Sequence, residues 1–145
     1  MITIRPAIQE DSKYIIGFQQ KLAIETENVV LDPAVVAKGL KQMFEDPAKG
    51  NYYVAEENKE VIGCMMTTFE WSEWKCGNIL WIQSVYIVPS HRGKGVFKKM
   101  YEYISSLHKR SVKQLEEGIG NKLTVDGIRD VWRMASQGNA LCLVV

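Results

Sequence analysis

Residues 85–99 read V-Y-I-V-P-S-H-R-G-K-G-V-F-K-K, and the fold turns on how that stretch is read. An apolar run over 79–88 stops at Pro89. The chain then passes a short segment holding Gly93 and Gly95 and restarts at Val96 with apolar positions at helical spacing. That is a strand, a glycine loop and a helix. Glycine lets backbone N–H groups turn toward a ligand with no Cβ in the way, and a helix start leaves its first N–H groups unpaired and partly positive. Such a junction takes anionic oxygens. Arg92, Lys94, Lys98 and Lys99 add four cations within eight positions, more than a carboxylate needs and what a polyphosphate would use. The stretch reads as a pyrophosphate seat, against the plainer alternative of a turn into a lysine-rich surface helix. It is neither the P-loop G-x-x-x-x-G-K-S/T nor the dinucleotide fingerprint G-x-G-x-x-G.

Upstream, residues 2–5 alternate as a first strand ended by Pro6, and Asp11 can cap a helix with Ile15, Phe18 and Leu22 on its apolar face, running to about Ala23. A polar stretch over 25–28 leads to Asp32-Pro33, which opens a second helix with Val36, Leu40 and Met43 as its buried stripe. Strands over 52–56 and 61–69 are joined by the polar residues 57–60, a hairpin pattern. The strand over 79–88 is apolar on both faces and should be covered by helices on both sides. The helix after the loop should bury Val96, Met100, Ile104 and Leu107, with Phe97 and Tyr101 on its flank. Beyond about Lys109 a short strand over 123–125, a helix over 128–135 and a last strand over 140–145 are expected.

The chain has 145 residues, 46% of them hydrophobic and 24% charged, which suits one globular domain over 1–145 with a proper core. Its apolar runs are far shorter than the roughly 20 residues of a membrane span, and it opens on a strand pattern with no signal peptide, so a cytoplasmic protein without membrane contact is expected. Cys64, Cys76 and Cys142 are odd in number and far apart, which suits neither a disulfide framework nor a zinc site. Net charge is +1, but residues 1–76 carry −4 and residues 77–145 carry +5. A nucleic-acid partner is a poorer explanation than a discrete anionic cofactor, because the cations centre on one junction and the whole-chain pI is about 7.7. The acidic first half would draw a cationic substrate such as an amine.

The stretch 85–98 resembles the acyl-coenzyme A loop of the GNAT superfamily of N-acetyltransferases, whose pattern is Gln/Arg-x-x-Gly-x-Gly/Ala after a strand ending in a Val-x-Pro-like turn. Arg92, Gly95 and Pro89 match; Phe97 stands where the pattern has glycine or alanine. The order β-α-α-β-β-β-α over residues 2 to about 108 is also the GNAT order. The resemblance implies an α/β fold with a mixed central sheet flanked by helices, and an atypical C-terminal part. It implies acetyl transfer from acetyl-coenzyme A to a small-molecule or peptide amine by direct attack, with no metal, in a monomer or homodimer. The alternative is a non-catalytic acyl-coenzyme A binding module of the same fold. Carried over by position, the backbone of Val85, Tyr86 and Ile87 would pair with the pantetheine arm, and the segment from Arg92 through Gly93, Lys94, Gly95, Val96 and Phe97 to Lys98 would hold the pyrophosphate.

Many GNAT enzymes place a glutamate base on the strand before the loop, where this chain has Gln83 and Ser84. The nearest acids are Glu70 and Glu73 at the exit of the preceding strand, and Glu25 and Glu27 between the first two helices, where the family's acceptor site forms. Glu27, Glu70 and Glu73 are therefore the expected bases, and Glu25, Trp71 and Trp74 the expected acceptor contacts. An aromatic face beside carboxylates attracts ammonium; the plainer reading of the two tryptophans is cover for a core edge. Cys64 has no histidine near it in the sequence, so a cysteine nucleophile is not expected.

Overall fold

The structure is a computed structural model that describes residues 1–74 and 76–108 and the backbone of 141–144. Strands β1 (Ile2–Pro6), β2 (Asn51–Glu57), β3 (Glu60–Ser72), β4 (Gly77–Ile87) and β5 (Leu141–Val144) form one sheet in the order β1-β2-β3-β4-β5. Its four pairings are antiparallel. Helices α1 (Ser12–Glu27), α2 (Pro33–Glu45) and α3 (Val96–Leu107) flank it. The expected last strand is present, whereas the strand over 123–125 and the helix over 128–135 lie outside the described residues.

Strand alternation divides the core in two. In β2, Tyr53 and Ala55 face α3 with Ile62, Met65, Leu80, Ile82, Ile87, Val96, Met100 and Ile104. The alternate residues Tyr52 and Val54 face α1 and α2 with Ile15, Phe18, Leu40, Cys64 and Tyr86. Each fully buried aliphatic side chain is worth about 1.5–3 kcal/mol, so both helix layers are needed to cover the strands. The hairpin β2–β3 turns through Asn58 and Lys59, at φ 52° and 67°, with Glu57 opposite Glu60; two central residues at positive φ match the right-handed twist of the strands.

Four expectations change. α1 runs on to Glu27 because Asn28 takes the left-handed conformation (φ 52°) and its N–H closes back on Ala23 O and Ile24 O, a common helix stop. Asp11 does not cap α1; its carboxylate accepts from Ile8 N at 2.8 Å and from Arg5 Nη1 at 2.7 Å, while Arg5 also reaches Glu56 Oε2 at 2.8 Å. Phe97 is buried in the α3 core, not on its flank. Leu107 is 50% exposed, because the last turn of α3 leaves the core and lines a cleft with Phe44, Pro47 and Tyr103. The Asp32-Pro33 start of α2 is as read, with Asp32 Oδ1 accepting from Ala34 N at 2.8 Å.

Candidate active site

The loop between β4 and α3 is set by backbone conformation. After one tight turn over Pro89–His91, Gly93 and Gly95 sit at φ 75° and 77°. A Cβ built on either meets no protein atom within 4 Å, so these positions require glycine for their dihedrals and face open space. Lys99 N donates to Gly95 O at 3.1 Å as the first bond of α3, and the helix amides ahead of it are aimed along the axis at the loop. Lys94 and Lys98 are exposed beside them.

Two side chains tie the loop to the body of the protein. His91 Nε2 lies 3.0 Å from Glu57 Oε2, and its Nδ1 lies 2.9 Å from Ser90 Oγ. Arg92 points away from the glycines: its Nε donates to Ile87 O at 2.8 Å, its Nη2 donates to Glu25 Oε2 at 2.8 Å, and its guanidinium sits 5.2 Å over the Tyr86 ring. Tyr86 OH donates to Glu25 Oε1 at 3.4 Å, and Phe18 stacks on the Tyr86 ring at 5.1 Å between centroids. Burial and the Glu25 charge push the Tyr86 hydroxyl upward. Arg92 thus joins α1 to the loop, and Lys94, Lys98 and Lys99 are the exposed cations there, Lys98 lying 3.8 Å from Glu102 one turn on.

Just before the loop, β4 is distorted. Cys64 pairs with Tyr86 but Met66 pairs with Gln83, so Ser84 and Val85 together oppose Met65 alone, and Ser84 takes φ 51°. This is a β-bulge, which bends a strand and frees groups from its ladder. Gln19 Nε2 holds Ser84 O from α1 at 3.5 Å. On its other edge β4 pairs with β5 only from Ile79 to Ile82. Among the described residues, the β4 edge from Gln83 to Ile87 has no strand partner there. The side chains of Ile87, Val96 and Phe97 are core, so any part they take in binding is through backbone.

The remaining candidates are dispersed. Glu25 meets the Tyr86 hydroxyl and Arg92, brought there by the extra turn of α1. Glu27 is exposed at the α1 terminus. Glu70 pairs with Ile79 and accepts from Trp81 Nε1 at 2.6 Å. Trp71, one residue on, is on the opposite face and 61% exposed; Glu73 and Trp74 lie in the turn beyond, with Trp74 90% exposed. Trp71 therefore does not share a face with Glu70, and the tryptophan that meets that carboxylate is Trp81. Sequence reading passed over Gln19 and Trp81, and gave Tyr86 a backbone role alone; their meeting depends on pairings across α1, β3 and β4 that leave no local signal. Burial pushes the Cys64 thiol up to about 12, which rules it out as a nucleophile at neutral pH. Among the described residues no three His, Cys, Asp or Glu side chains gather as a metal site would, and no helix is long and apolar enough to cross a membrane.

A bulged strand leading into a left-handed glycine loop and a helix start is what the resemblance of residues 85–98 to the GNAT acyl-coenzyme A loop implies. The model of the acetyltransferase (GNAT) family matches residues 17–121, and the chain belongs to that family, which transfers acetyl groups from acetyl-coenzyme A. A structure described as "a possible acetyltransferase" from Clostridium difficile 630 is 42% identical, over 74% of this chain and 70% of that one, with a TM-score of 0.69. Two more distant structures share the fold. A "predicted acetyltransferase with acetyl-CoA" from Clostridium acetobutylicum is 17% identical over 86% of this chain and 92% of that one (TM-score 0.63). A ribosomal-protein-alanine N-acetyltransferase from Brucella melitensis biovar Abortus 2308 is 14% identical over 76% and 73% (TM-score 0.61). No curated protein matches the chain.

Proposed function

We propose that the chain transfers acetyl from acetyl-coenzyme A to a primary amine by direct attack at the β4 bulge. The observation that carries this is the bulge at Ser84 and Val85 next to the glycine loop, on a strand whose other edge has no strand partner from Gln83 to Ile87 among the described residues. The edge from Val85 to Ile87 offers backbone donors and acceptors to an extended amide-bearing arm, as an added strand would use them. Gly93 through Lys98, with the α3 amides and the Lys94 and Lys98 ammoniums, suit a pyrophosphate. Acetyl-coenzyme A, when bound, supplies an activated acyl carbon and a thiolate leaving group. A bulge amide facing the carbonyl would stabilise the oxyanion, a contribution of about 3 kcal/mol in comparable sites.

The acceptor must lose its ammonium proton before it attacks. Glu25 is the candidate carboxylate tied to Tyr86, the residue after the bulge, and to Arg92 of the loop, and it draws the ammonium in and takes the proton through a water. Glu70 and Glu73 are farther off: Ile79, opposite Glu70, is six residues from Val85, about 20 Å at strand rise. Coenzyme A release from acetyl-coenzyme A over a panel of primary amines, with the acetylated product identified by mass, tests the proposal. Release with at least one amine is expected. A melting shift with acetyl-coenzyme A but no transfer to any amine would overturn it and leave the binding module.

A further inference from the structure

Beyond Met66, among the described residues, the two cores no longer cover the α1 side of the β3–β4 ladder. There Gln83 and Trp81 of β4 and Thr68 of β3 are half-buried and Glu70 is exposed, and none of the four belongs to either core. Register puts them on the Tyr86 side: Gln83 pairs with Met66, Trp81 with Thr68, and Glu70 with Ile79. They form a row that starts at the bulge and runs away from the loop. Two hydrogen bonds order it, from Gln83 Nε2 to Thr68 Oγ1 and from Trp81 Nε1 to Glu70 Oε2. The other carboxylate oxygen of Glu70 has no partner among the described residues. Trp81 is four residues from Val85, about 13 Å along the strand.

We propose that this row is a second acceptor subsite, and that the acceptor is a linear diamine or polyamine whose far ammonium lies roughly 13–20 Å from the one acetylated, between the Trp81 and the Ile79–Glu70 positions on the strand. The inference rests on the bulge being the transfer site. Glu70 accepts the far ammonium and the Trp81 indole face adds a cation–π contact, a pairing that favours ammonium over a neutral chain end. Between the two ends, the Gln83 and Thr68 oxygens can accept from a secondary amine in mid-chain. An indole and a carboxylate locked together at this distance from the bulge give short amines nothing to reach.

The test compares butylamine, putrescine, spermidine and spermine on the full chain at constant ionic strength, with transfer and calorimetric binding read separately. In the parent, kcat/KM should rise with length, spermine exceeding butylamine by about tenfold or more. Glu70→Gln should cut that ratio by about tenfold, the worth of one charge-assisted hydrogen bond. Trp81→Phe keeps the ring but loses the N–H that orients the carboxylate, and should cut it by about threefold. Transfer with no length preference, or a ratio that Glu70→Gln leaves alone, would overturn the subsite. Length-dependent, Glu70-dependent binding of spermine without transfer to any amine would support the subsite and sink the acetyl-transfer reading instead.

Discussion

The glycine loop and the acceptor face adjoin one another on β4, yet they are made in opposite ways. The loop is one contiguous segment whose shape comes from two left-handed glycines, a tight turn and a helix start, so its chemistry belongs to the backbone. The acceptor face takes single side chains from α1, β3 and β4, and each is where it is because of a register or a helix length. Backbone-made sites tolerate side-chain change and fail on dihedral change; assembled sites do the reverse. The same contrast recurs away from the site, between the Asn58–Lys59 turn and the Arg5–Asp11–Glu56 staple.

The sharpest way to break this comparison is at Gly95. Gly95→Val forces a β-branched residue to φ 77° and puts bulk on the open side, and we expect acetyl-coenzyme A to produce no melting shift with it. Gly95→Asn separates the two effects, since asparagine tolerates that conformation: it should fold as the parent does and still lose most cofactor affinity. Parental affinity in Gly95→Asn would mean that the loop needs only its dihedral.

Next in size is the assembled face. Glu25→Gln keeps the shape of the Arg92 and Tyr86 contacts and removes the charge, and should lower kcat about a hundredfold at neutral pH. Turnover should recover partly toward high pH, where the free amine becomes abundant. Loss of cofactor affinity instead of kcat would place Glu25 with the loop and blur the distinction between the two regions.

These two positions also mark what could be read from residue order. Gly93, Gly95 and the strand before them were legible because strand, glycine and helix signals are local and follow one another. The Asp32-Pro33 helix start and the 57–60 hairpin were legible for the same reason. Glu25 was assigned to the acceptor side but not to Arg92, because its position depends on α1 running four residues past its apparent end. Glu70 and Trp71 were grouped by adjacency, and strand alternation sends adjacent residues to opposite faces. Trp81 reads as one more apolar residue of a buried strand until the register sets it diagonally across from Glu70.

A smaller effect is expected at Asp11, which is 4% exposed. Burial raises its carboxyl, but the Arg5 hydrogen bond, the Ile8 amide and the Arg5 and Lys13 charges outweigh burial and hold it below the usual carboxylate range. A depressed acid contributes stability above its unfolded value, about 3.9, and that contribution is lost as pH falls through the lower folded value. Asp11→Asn should cost about 2–3 kcal/mol by urea unfolding at pH 7 and progressively less as the pH is lowered from 5. An equal cost at pH 7 and pH 3 would mean that packing, not charge, holds the staple. Smallest of all, Lys59→Gly relieves a non-glycine residue at φ 67° and should stabilise the β2–β3 turn by up to about 1 kcal/mol. A loss of stability there would show that the turn is set by side chains after all.

Cys64 bears on how such rates are followed. Its thiol is wholly enclosed between α1 and the β3–β4 ladder and is pushed up to about 12 by burial, whereas Cys76 is exposed in the turn between β3 and β4. A disulfide dye that counts coenzyme A as it is released will react with Cys76 at once and reach Cys64 only when α1 lifts from the sheet. Between the two cysteines whose surroundings are described, a trace taken without acetyl-coenzyme A therefore carries a second clock: Cys76 reacts early, and the slower reaction of Cys64 measures the opening of the protein itself.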